Sequence, residues 1–351
     1  MTSSLPDDLT RALQALSEGH SRHSLARRAA AISTNYRSGG TSSTITTADD
    51  ALAYAFVRMP ATFAAVAACL DALTKARADF SPASLIDVGA GPGTASWAAA
   101  DTFASLQHFA LADTNEHLRT LATTLMRKSQ RLQRADYRGG SARAFLNGAG
   151  EADLVIASYM IGEIAPDERG ALAALMWQRT RDVLLIVEPG TPDGYERIIA
   201  LRGHLIALGA HTVAPCPHDR ECPLSTAHVP EKWEPVFRTG HAPEQRDWCH
   251  FSRRLPRSRD HKLLKDAEVP FEDEKFSYVA LSRTPPARRA ARVLARPSQS
   301  KAAITAKLCM EGGVSAVTIP RRDKNAFAGA RRWRWGDAVD PDHPPQGEED
   351  A

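Results

Sequence analysis

A series of short apolar runs between residues 84 and 188 alternates with stretches that have apolar residues at helical spacing. The runs are 84–89, 108–113, 152–158 and 183–188, and a late one covers 276–282. Strands that are apolar throughout need cover on both faces, so this alternation predicts a largely parallel sheet between two layers of helices. The predicted fold class is a doubly wound α/β domain, with the late strand closing the same sheet.

The residue composition before and after the predicted α/β domain predicts the domain boundaries. Residues 1–80 carry apolar residues at helical spacing and predict a helical region, with a kink or a new helix start at Pro60. The α/β domain is expected over 81–284, with a cysteine-containing insertion at about 210–260. A basic extension over 285–335 and an acidic, disordered tail over 336–351 follow.

Charge is distributed unevenly along the C-terminal part of the chain. Residues 285–335 contain 12 Lys and Arg against two acids, whereas 336–351 contain six acids and no Lys or Arg. A basic segment followed by an acidic tail favours a polyanionic partner. No run approaches 18 apolar residues and the N-terminus has no apolar leader, so we expect no membrane span and a cytoplasmic protein.

The first apolar run ends in a glycine-rich turn, Asp87-Val-Gly89-Ala-Gly91-Pro-Gly93-Thr94. A dinucleotide fingerprint counted from Gly89 requires Gly or Ala where Thr94 stands. A P-loop is excluded because no Gly-Lys-Ser/Thr follows. Pro92 removes one backbone N–H from the loop, which suits a ligand without phosphates.

This turn resembles the first motif of class I S-adenosylmethionine (SAM) methyltransferases, in which Asp87, Gly89, Gly91 and Gly93 would form the cofactor loop. The resemblance implies that the glycines let the backbone approach the methionine part of SAM. Asp113, at the end of the second run, would accept hydrogen bonds from the ribose hydroxyls. Ser158 or Tyr159 would face the sulfonium and the methyl acceptor, and Asp136 is a weaker candidate for the adenine edge.

The sequence does not assign a catalytic residue. The place after the apolar run 152–158 reads Ser158-Tyr-Met-Ile-Gly-Glu163, without the Pro-Pro element of amino methyltransferases that act on bases. No cysteine nucleophile follows the run 152–158 or the run 183–188. We interpret Glu163 and Glu188 as ordinary loop acids. Methyl transfer often needs only positioning, so activity is not excluded.

Four of the five cysteines lie in polar contexts in the C-terminal half, at Cys216, Cys222, Cys249 and Cys309. Four thiolates are the usual complement of a structural Zn²⁺ or an iron–sulfur cluster. The spacing is that of neither a zinc ribbon nor a ferredoxin. His218 and His250 are further candidates for a zinc ligand. Separate buried thiols and a redox-active disulfide are the alternatives, whereas Cys69 lies on an apolar helix and is interpreted as core.

Four phrases resemble the small-ribosomal-subunit methyltransferase-like family. They are Glu188-Pro-Gly-Thr-Pro-Asp-Gly, Ala214-Pro-Cys-Pro-His-Asp, Asp247-Trp-Cys-His-Phe-Ser-Arg-Arg-Leu-Pro-Arg-Ser and Glu272-Asp-Glu-Lys-Phe-Ser-Tyr. The resemblance spans about 50–335. It implies a SAM-methyltransferase fold, binding to the small ribosomal subunit or its rRNA, and a [4Fe–4S] cluster on Cys216, Cys222, Cys249 and Cys309.

Arginines follow directly on Cys249, at Arg253, Arg254, Arg257 and Arg259. Guanidinium groups suit phosphate backbones, so we interpret these arginines as RNA-binding residues, with the alternative of a solvated charged loop. The predicted function is a SAM-dependent protein that binds or methylates small-subunit rRNA in ribosome assembly or translation, and no DNA partner is expected. The alternative is a non-catalytic assembly factor that keeps the SAM pocket.

Overall fold

A computed structural model describes residues 4–37, 40–226, 247–258, 261–262, 265 and 268–340. Its helices are α1 (Asp7–Ser17), α2 (Arg22–Arg37), α3 (Ala48–Ala76), α4 (Thr94–Thr102), α5 (Glu116–Met126), α6 (Ala142–Gly148), α7 (Arg169–Gln178), α8 (Pro192–Ala207), α9 (Pro223–Thr226) and α10 (Lys324–Ala330). Short 3₁₀ turns occur at Ser42–Thr44 and Ile161–Glu163.

Thirteen strands are present in the described part of the chain. They are β1 (Ser84–Val88), β2 (His108–Asp113), β3 (Asp136–Gly139), β4 (Ala152–Ser158), β5 (Thr180–Pro189), β6 (His211–Ala214), β7 (Phe251–Pro256), β8 (Phe271–Ser282), β9 (Ala291–Val293), β10 (Ser298–Gln299), β11 (Ala303–Met310), β12 (Gly313–Pro320) and β13 (Ala338–Val339).

The main sheet has the strand order β3-β2-β1-β4-β5-β8-β6, with β7 paired to β8. Strands β1 to β5 are mutually parallel, and β8 is antiparallel to β5, β6 and β7. An antiparallel strand inserted next to β5 in this order is the arrangement of the class I SAM-methyltransferase fold. The predicted fold class is therefore confirmed, with a mixed sheet.

The long helix α3 packs on one face of this sheet and forms much of the core there, together with α4. Thr47 caps its N-terminus by accepting a hydrogen bond from the Asp50 N–H, and the helix runs through Pro60 without ending. Its length and composition would suffice to cross a membrane, but 78% of its most apolar window is buried in the protein. These properties are those of a core helix. Helices α7 and α8 cover the opposite face of the sheet.

The segment predicted as a basic extension folds into a second sheet, with the order β10-β11-β9-β13 and β12 paired to β11. It has a core of its own, in which Val293, Ile304 and Leu308 pack against Ala326 of α10. The sheet continues to Val339, so the tail predicted from residue 336 starts too early. Residues 341–351 lie outside the described residues.

A small apolar cluster joins the second sheet to the main domain. Tyr195 of α8, Leu224 of α9 and Leu294 pack there with Cys222, Cys309 and the partly buried Cys249. Three of the cysteines predicted to share a site therefore lie at the junction of the two sheets.

Candidate functional site

A pocket of about 270 Å³ lies at the carboxyl ends of the parallel strands, where ligands of doubly wound sheets bind. Four of the six predicted cofactor residues line it, namely Gly89, Gly91, Asp113 and Ser158. The N-terminal helical region closes one side of the pocket with Tyr36, Ser42 and Tyr54.

The glycine-rich turn requires its glycines for two separate reasons. Gly89 has φ +65°, and a Cβ there would lie 2.8 Å from Cβ of Met160. Gly93 has φ +79°, and a Cβ there would collide with the terminal methyl of Met126. The turn thus passes from β1 into α4 under close packing, with a left-handed backbone that side chains disfavour.

Asp113 is positioned by backbone hydrogen bonds at the end of β2. Its Oδ2 accepts from the Gly91 N–H at 2.8 Å, and its Oδ1 accepts from the Asn115 N–H at 2.7 Å. Burial raises the pKa of Asp113, while these N–H donors act in the opposite direction. Each carboxylate oxygen keeps a second lone pair, so Asp113 fits the role of accepting from a vicinal diol.

Asp87 occupies a different position from the one predicted. It is fully buried and outside the pocket lining, and its Oδ2 accepts from the N–H and hydroxyl of Ser96 at 3.0 and 2.7 Å. Burial raises the pKa of Asp87 to about 7. The Asp87 side chain therefore holds the start of α4, and Gly93 is likewise a packing residue outside the lining.

A contact between distant segments borders the pocket. The Ser42 hydroxyl donates to Glu163 Oε2 at 2.7 Å, and the Ser42 N–H donates to the same oxygen at 3.2 Å. The Asn115 side-chain amide donates to the Ser42 carbonyl at 3.2 Å. Glu163 is thus a pocket residue that fixes the α2–α3 connection, and the interpretation of it as an ordinary loop acid is wrong.

Glu188 is also more than a loop acid. It is fully buried at the end of β5, where Arg197 Nε donates to its Oε2 at 2.6 Å and the Ile161 N–H donates to its Oε1 at 3.1 Å. Burial raises the pKa of Glu188, and Arg197 counteracts this effect. The carboxylate therefore supports the turn that carries Glu163.

Tyr159 follows β4 with a left-handed backbone, at φ +58°. This conformation costs a non-glycine residue about 1–2 kcal/mol. The Tyr159 hydroxyl donates to Glu274 Oε1 at 2.8 Å, and Arg58 Nη2 lies 3.3 Å from the same oxygen. Tyr159 lines the pocket, so these partners fix the position of a side chain on the acceptor side. Glu274 and Arg58 carry no local sequence signal for this role.

The four predicted metal-binding cysteines, Cys216, Cys222, Cys249 and Cys309, line one cavity of about 20 Å³, roughly the space of one water molecule. His218 lies there as well, with Nε2 3.9 Å from Cys309 Sγ. Cys69 is buried in the main core and takes no part, as expected. His250 is outside the lining and stacks on Trp248.

The thiols of this cavity interact electrostatically. Burial and the other three thiolates raise the pKa of Cys249 well above its usual range. Burial is also the main cause that raises the pKa of Cys309 to about 12. Two buried arginines adjoin the cavity: Arg202 donates to the His218 carbonyl at 2.6 Å and Arg292 to the Pro215 carbonyl at 3.1 Å. Cations in this position compensate the charge of thiolates.

These residues fit a thiolate-bound metal group in chemistry, because four sulfur donors and two neighbouring cations suit either zinc or an iron–sulfur cluster. Among the residues that the structure describes, no three His, Cys, Asp or Glu side chains are already arranged to hold a metal ion. Binding therefore requires the thiols to turn towards the cavity centre.

The arginines predicted to bind RNA lie on or after β7, facing acids of β8. Arg254 pairs with Asp273 at 2.7 Å and stacks over Phe271, and Arg257 pairs with Glu272 at 3.3 Å. Arg253 is opposite Glu274 in the strand register. Arg259 lies outside the described residues. The structure thus places Arg257 in a largely buried ion pair and Arg254 in an exposed one, both with acids of β8.

Comparison with known proteins gives one family and one relative of note. A family model described as "Mitochondrial small ribosomal subunit Rsm22" matches residues 48–340. The human mitochondrial ribosome assembly protein METTL17 is 25% identical over 306 residues, covering 82% of this chain. The chain spans 62% of the length of that relative.

Solved structures resemble the chain only distantly. Magnesium protoporphyrin IX methyltransferase from Synechocystis with bound SAM has a TM-score of 0.37 and 11% identity, over 68% of this chain and 85% of that one. The ribosomal protein L11 methylase from Lactobacillus delbrueckii subsp. bulgaricus has a TM-score of 0.33 and 17% identity, over 42% and 68%. The fold assignment rests on the strand order of the main sheet.

Proposed function

Because the chain belongs to the mitochondrial small ribosomal subunit Rsm22 family, we propose that it binds SAM and acts on the small ribosomal subunit during assembly. The observation that carries the SAM part is the pocket at the carboxyl ends of the strands, with Asp113 held by two backbone N–H groups. The role of the human relative in ribosome assembly, as its name gives it, supports the partner.

The residues of the pocket divide the work of holding SAM and an acceptor. SAM would supply an electrophilic methyl group on its sulfonium. Asp113 would accept hydrogen bonds from the ribose hydroxyls, and the turn at Gly89 would let the backbone approach the ligand. The contact between Ser42 and Glu163 ties down the connection beside the pocket and limits the access of water. Ser158 and Tyr159 border the acceptor side, where Glu274 and Arg58 hold the tyrosine hydroxyl.

The second candidate is a non-catalytic assembly factor that uses SAM as a structural ligand. One observation favours it: the Tyr159 hydroxyl already donates to Glu274, so it is committed to the protein instead of to a substrate amine or hydroxyl. In this version, SAM stabilises the pocket and the protein acts through binding to the subunit alone.

Transfer of labelled methyl groups from SAM to precursor small subunits separates the two candidates. Asp113→Asn is the informative variant, because Asp87→Ala would disturb the buried start of α4 instead of the pocket. If the wild-type protein transfers methyl groups to rRNA and Asp113→Asn transfers fewer, the protein is an enzyme. Intact SAM binding without incorporation by the wild-type protein refutes the enzyme and leaves the assembly factor.

We assign the cysteine cavity to a thiolate-bound metal group on Cys216, Cys222, Cys249 and Cys309. The sequence resemblance favours a [4Fe–4S] cluster, and zinc, which also takes four thiolate ligands, is the alternative. Iron, zinc and sulfide analysis of protein purified without oxygen distinguishes them. Iron with acid-labile sulfide supports the cluster, one zinc supports the single ion, and metal-free folded protein refutes both.

The cellular location and further partners remain predictions from the sequence. We propose a cytoplasmic protein that works without a membrane or DNA partner. Fractionation of cells that express the tagged full-length chain, with probes for ribosomal subunits, membranes and DNA, tests all three points together.

A further inference from the structure

The cations of the basic segment 285–335 differ in what surrounds them. Arg292 and Lys307 are buried, and Lys307 pairs with Asp247. Arg289 pairs with Asp219 at 2.6 Å, and Arg288 pairs with Asp340. Arg292, Lys307 and Arg289 therefore serve the junction of the two sheets, whereas Arg288 is exposed but already forms an ion pair.

Four other cations gather where the β11–β12 hairpin opens. We call them the hairpin cation cluster: Lys301, Arg321, Arg322 and Lys324. Ala303 of β11 pairs with Pro320 of β12, and the Arg321 N–H donates to the Ala302 carbonyl at 2.8 Å just beyond that pair. The register therefore places residue 321 opposite 302 and, one step further, residue 322 opposite 301. The Arg321 guanidinium also donates to the Lys301 carbonyl at 3.4 Å, so Lys301, Arg321 and Arg322 lie together.

The start of α10 adds the fourth cation to this surface. The Asp323 N–H donates to the Pro320 carbonyl at 3.0 Å, which closes a tight turn between β12 and the helix. The Asp323 carboxylate accepts from the Ala326 N–H at 3.2 Å as the helix cap. The acid nearest in sequence is thus used by the backbone, and the turn keeps Lys324 close to Arg321 and Arg322.

All four members of the cluster are exposed, and within the described ranges none of them forms an ion pair. The arginines of β7 differ in this respect, because Arg254 and Arg257 face Asp273 and Glu272 at ion-pair distance. A polyanion that binds at β7 meets arginines already paired with acids, whereas at the hairpin it meets four cations without an ion pair among the described residues and one acid, Asp323, so the local charge stays positive.

We propose that the hairpin cation cluster is the surface that grips the phosphate backbone of RNA, an assignment that rests on the proposed binding to the small subunit. The exposed neighbours Ser300, Thr318 and Asn325 offer hydroxyl and amide groups that suit sugar and phosphate oxygens. An RNA backbone fits this surface better than a lipid surface does. The apolar residues of the second sheet point into its own core and leave little to insert among acyl chains.

The test compares two triple variants of the full-length chain with the same loss of charge. R321Q/R322Q/K324Q removes three members of the cluster, and R127Q/K128Q/R134Q removes three exposed cations from the α5 end of the main sheet. Binding of a labelled fragment of small-subunit rRNA is measured over a series of salt concentrations. Thermal melting checks that both variants fold like the wild-type protein.

If three phosphate contacts are lost, the slope of log K against log salt should become shallower by about 2 to 3 units in the cluster variant. Its affinity should fall roughly 100-fold at about 0.1 M salt. The control variant should keep the slope of the wild-type protein. Equal slopes for the two variants would overturn the assignment while leaving RNA binding itself intact.

Two further outcomes also count against the proposal in distinguishable ways. If the wild-type protein binds no rRNA fragment, both the phosphate-binding role of the hairpin cation cluster and the proposed RNA partner are wrong. The proposals for SAM and metal binding are unaffected by that result. If the cluster variant instead loses binding only to mixed phosphatidylcholine–phosphatidylglycerol vesicles, the surface serves an anionic membrane and the RNA assignment is wrong.

Discussion

Replacing Asp113 by asparagine should weaken SAM binding by about 10- to 150-fold. The two carboxylate oxygens each accept one backbone N–H, from Gly91 at 2.8 Å and from Asn115 at 2.7 Å. One lone pair on each oxygen then remains for the two ribose hydroxyls. The amide of asparagine has a single acceptor oxygen, so at least one hydrogen bond to a charged group is lost, at a cost of about 1.5–3 kcal/mol.

Isothermal titration of SAM into the full-length protein measures this loss directly. Asp136→Asn is the matched control, because Asp136, the weaker candidate for the adenine edge, lies outside the pocket lining, is exposed and pairs with Arg138 at 2.6 Å. The Asp113 variant should also unfold about 1–3 kcal/mol more easily, since one backbone N–H would face the amide NH₂. SAM affinity within about threefold of the wild-type value in a folded Asp113→Asn protein, or an equal loss in Asp136→Asn, would refute the reasoning.

Three other predictions concern the cysteines, Asp87 and Tyr159. Serine at any one of Cys216, Cys222, Cys249 or Cys309 should lower metal content and solubility together, whereas Cys69→Ser should leave metal content unchanged. Elemental analysis of the purified variants measures the metal content. Mild, independent effects at all five positions would contradict a shared site. Burial raises the pKa of Asp87 from 3.8 to about 7, so the folded state keeps a proton that the unfolded state loses, and this group's contribution to stability should fall as pH rises between about 4 and about 7, by at most about 1.4 kcal/mol per pH unit. Urea unfolding at both ends of this window should show a steeper loss for the wild-type protein than for Asp87→Asn, and equal slopes would contradict it. Tyr159→Phe removes the donor to the buried Glu274 and should cost about 1–3 kcal/mol in the free energy of unfolding, measured with urea; an unchanged midpoint would mean that Arg58 alone satisfies Glu274.

The strands of the main sheet differ in how much of their signal is local. β1, β2, β4 and β5 are recognisable because both of their faces are covered, so nearly every residue in them is apolar. β3 has no such signal, because it is an edge strand whose residues Asp136–Gly139 are exposed or half-exposed. In the second sheet only the β11–β12 hairpin is local, whereas β9 pairs with β13 and with β11 over longer distances. Its apolar residues were visible, but their pairing was not.

The pocket shows the same division between local and long-range information. Asp113 and the turn glycines follow from a strand–turn–helix pattern within one βαβ unit. Ser42 and Glu274 reach the site only through tertiary packing, so neither has a local signal. The β7 arginines remain predicted RNA-binding residues, and the sequence also contains pairing partners for them within the protein. The run Glu272-Asp273-Glu274 lies antiparallel to them, and a two-stranded pairing of Arg and acid was available as an interpretation.

The position of Cys309 gives the cysteine cavity a consequence beyond local stability. Cys309 lies in β11 of the second sheet, opposite Arg292, whereas Cys216 and Cys222 follow β6 of the main sheet. A metal group that binds all of them would join the two sheets through covalent bonds to sulfur, next to the Arg292 contact with the Pro215 carbonyl. The same strand, β11, runs from Cys309 at one end to the hairpin cation cluster at the other. Loss of the metal should therefore loosen the cluster relative to the SAM pocket and weaken RNA affinity, even though no residue of the cluster is changed.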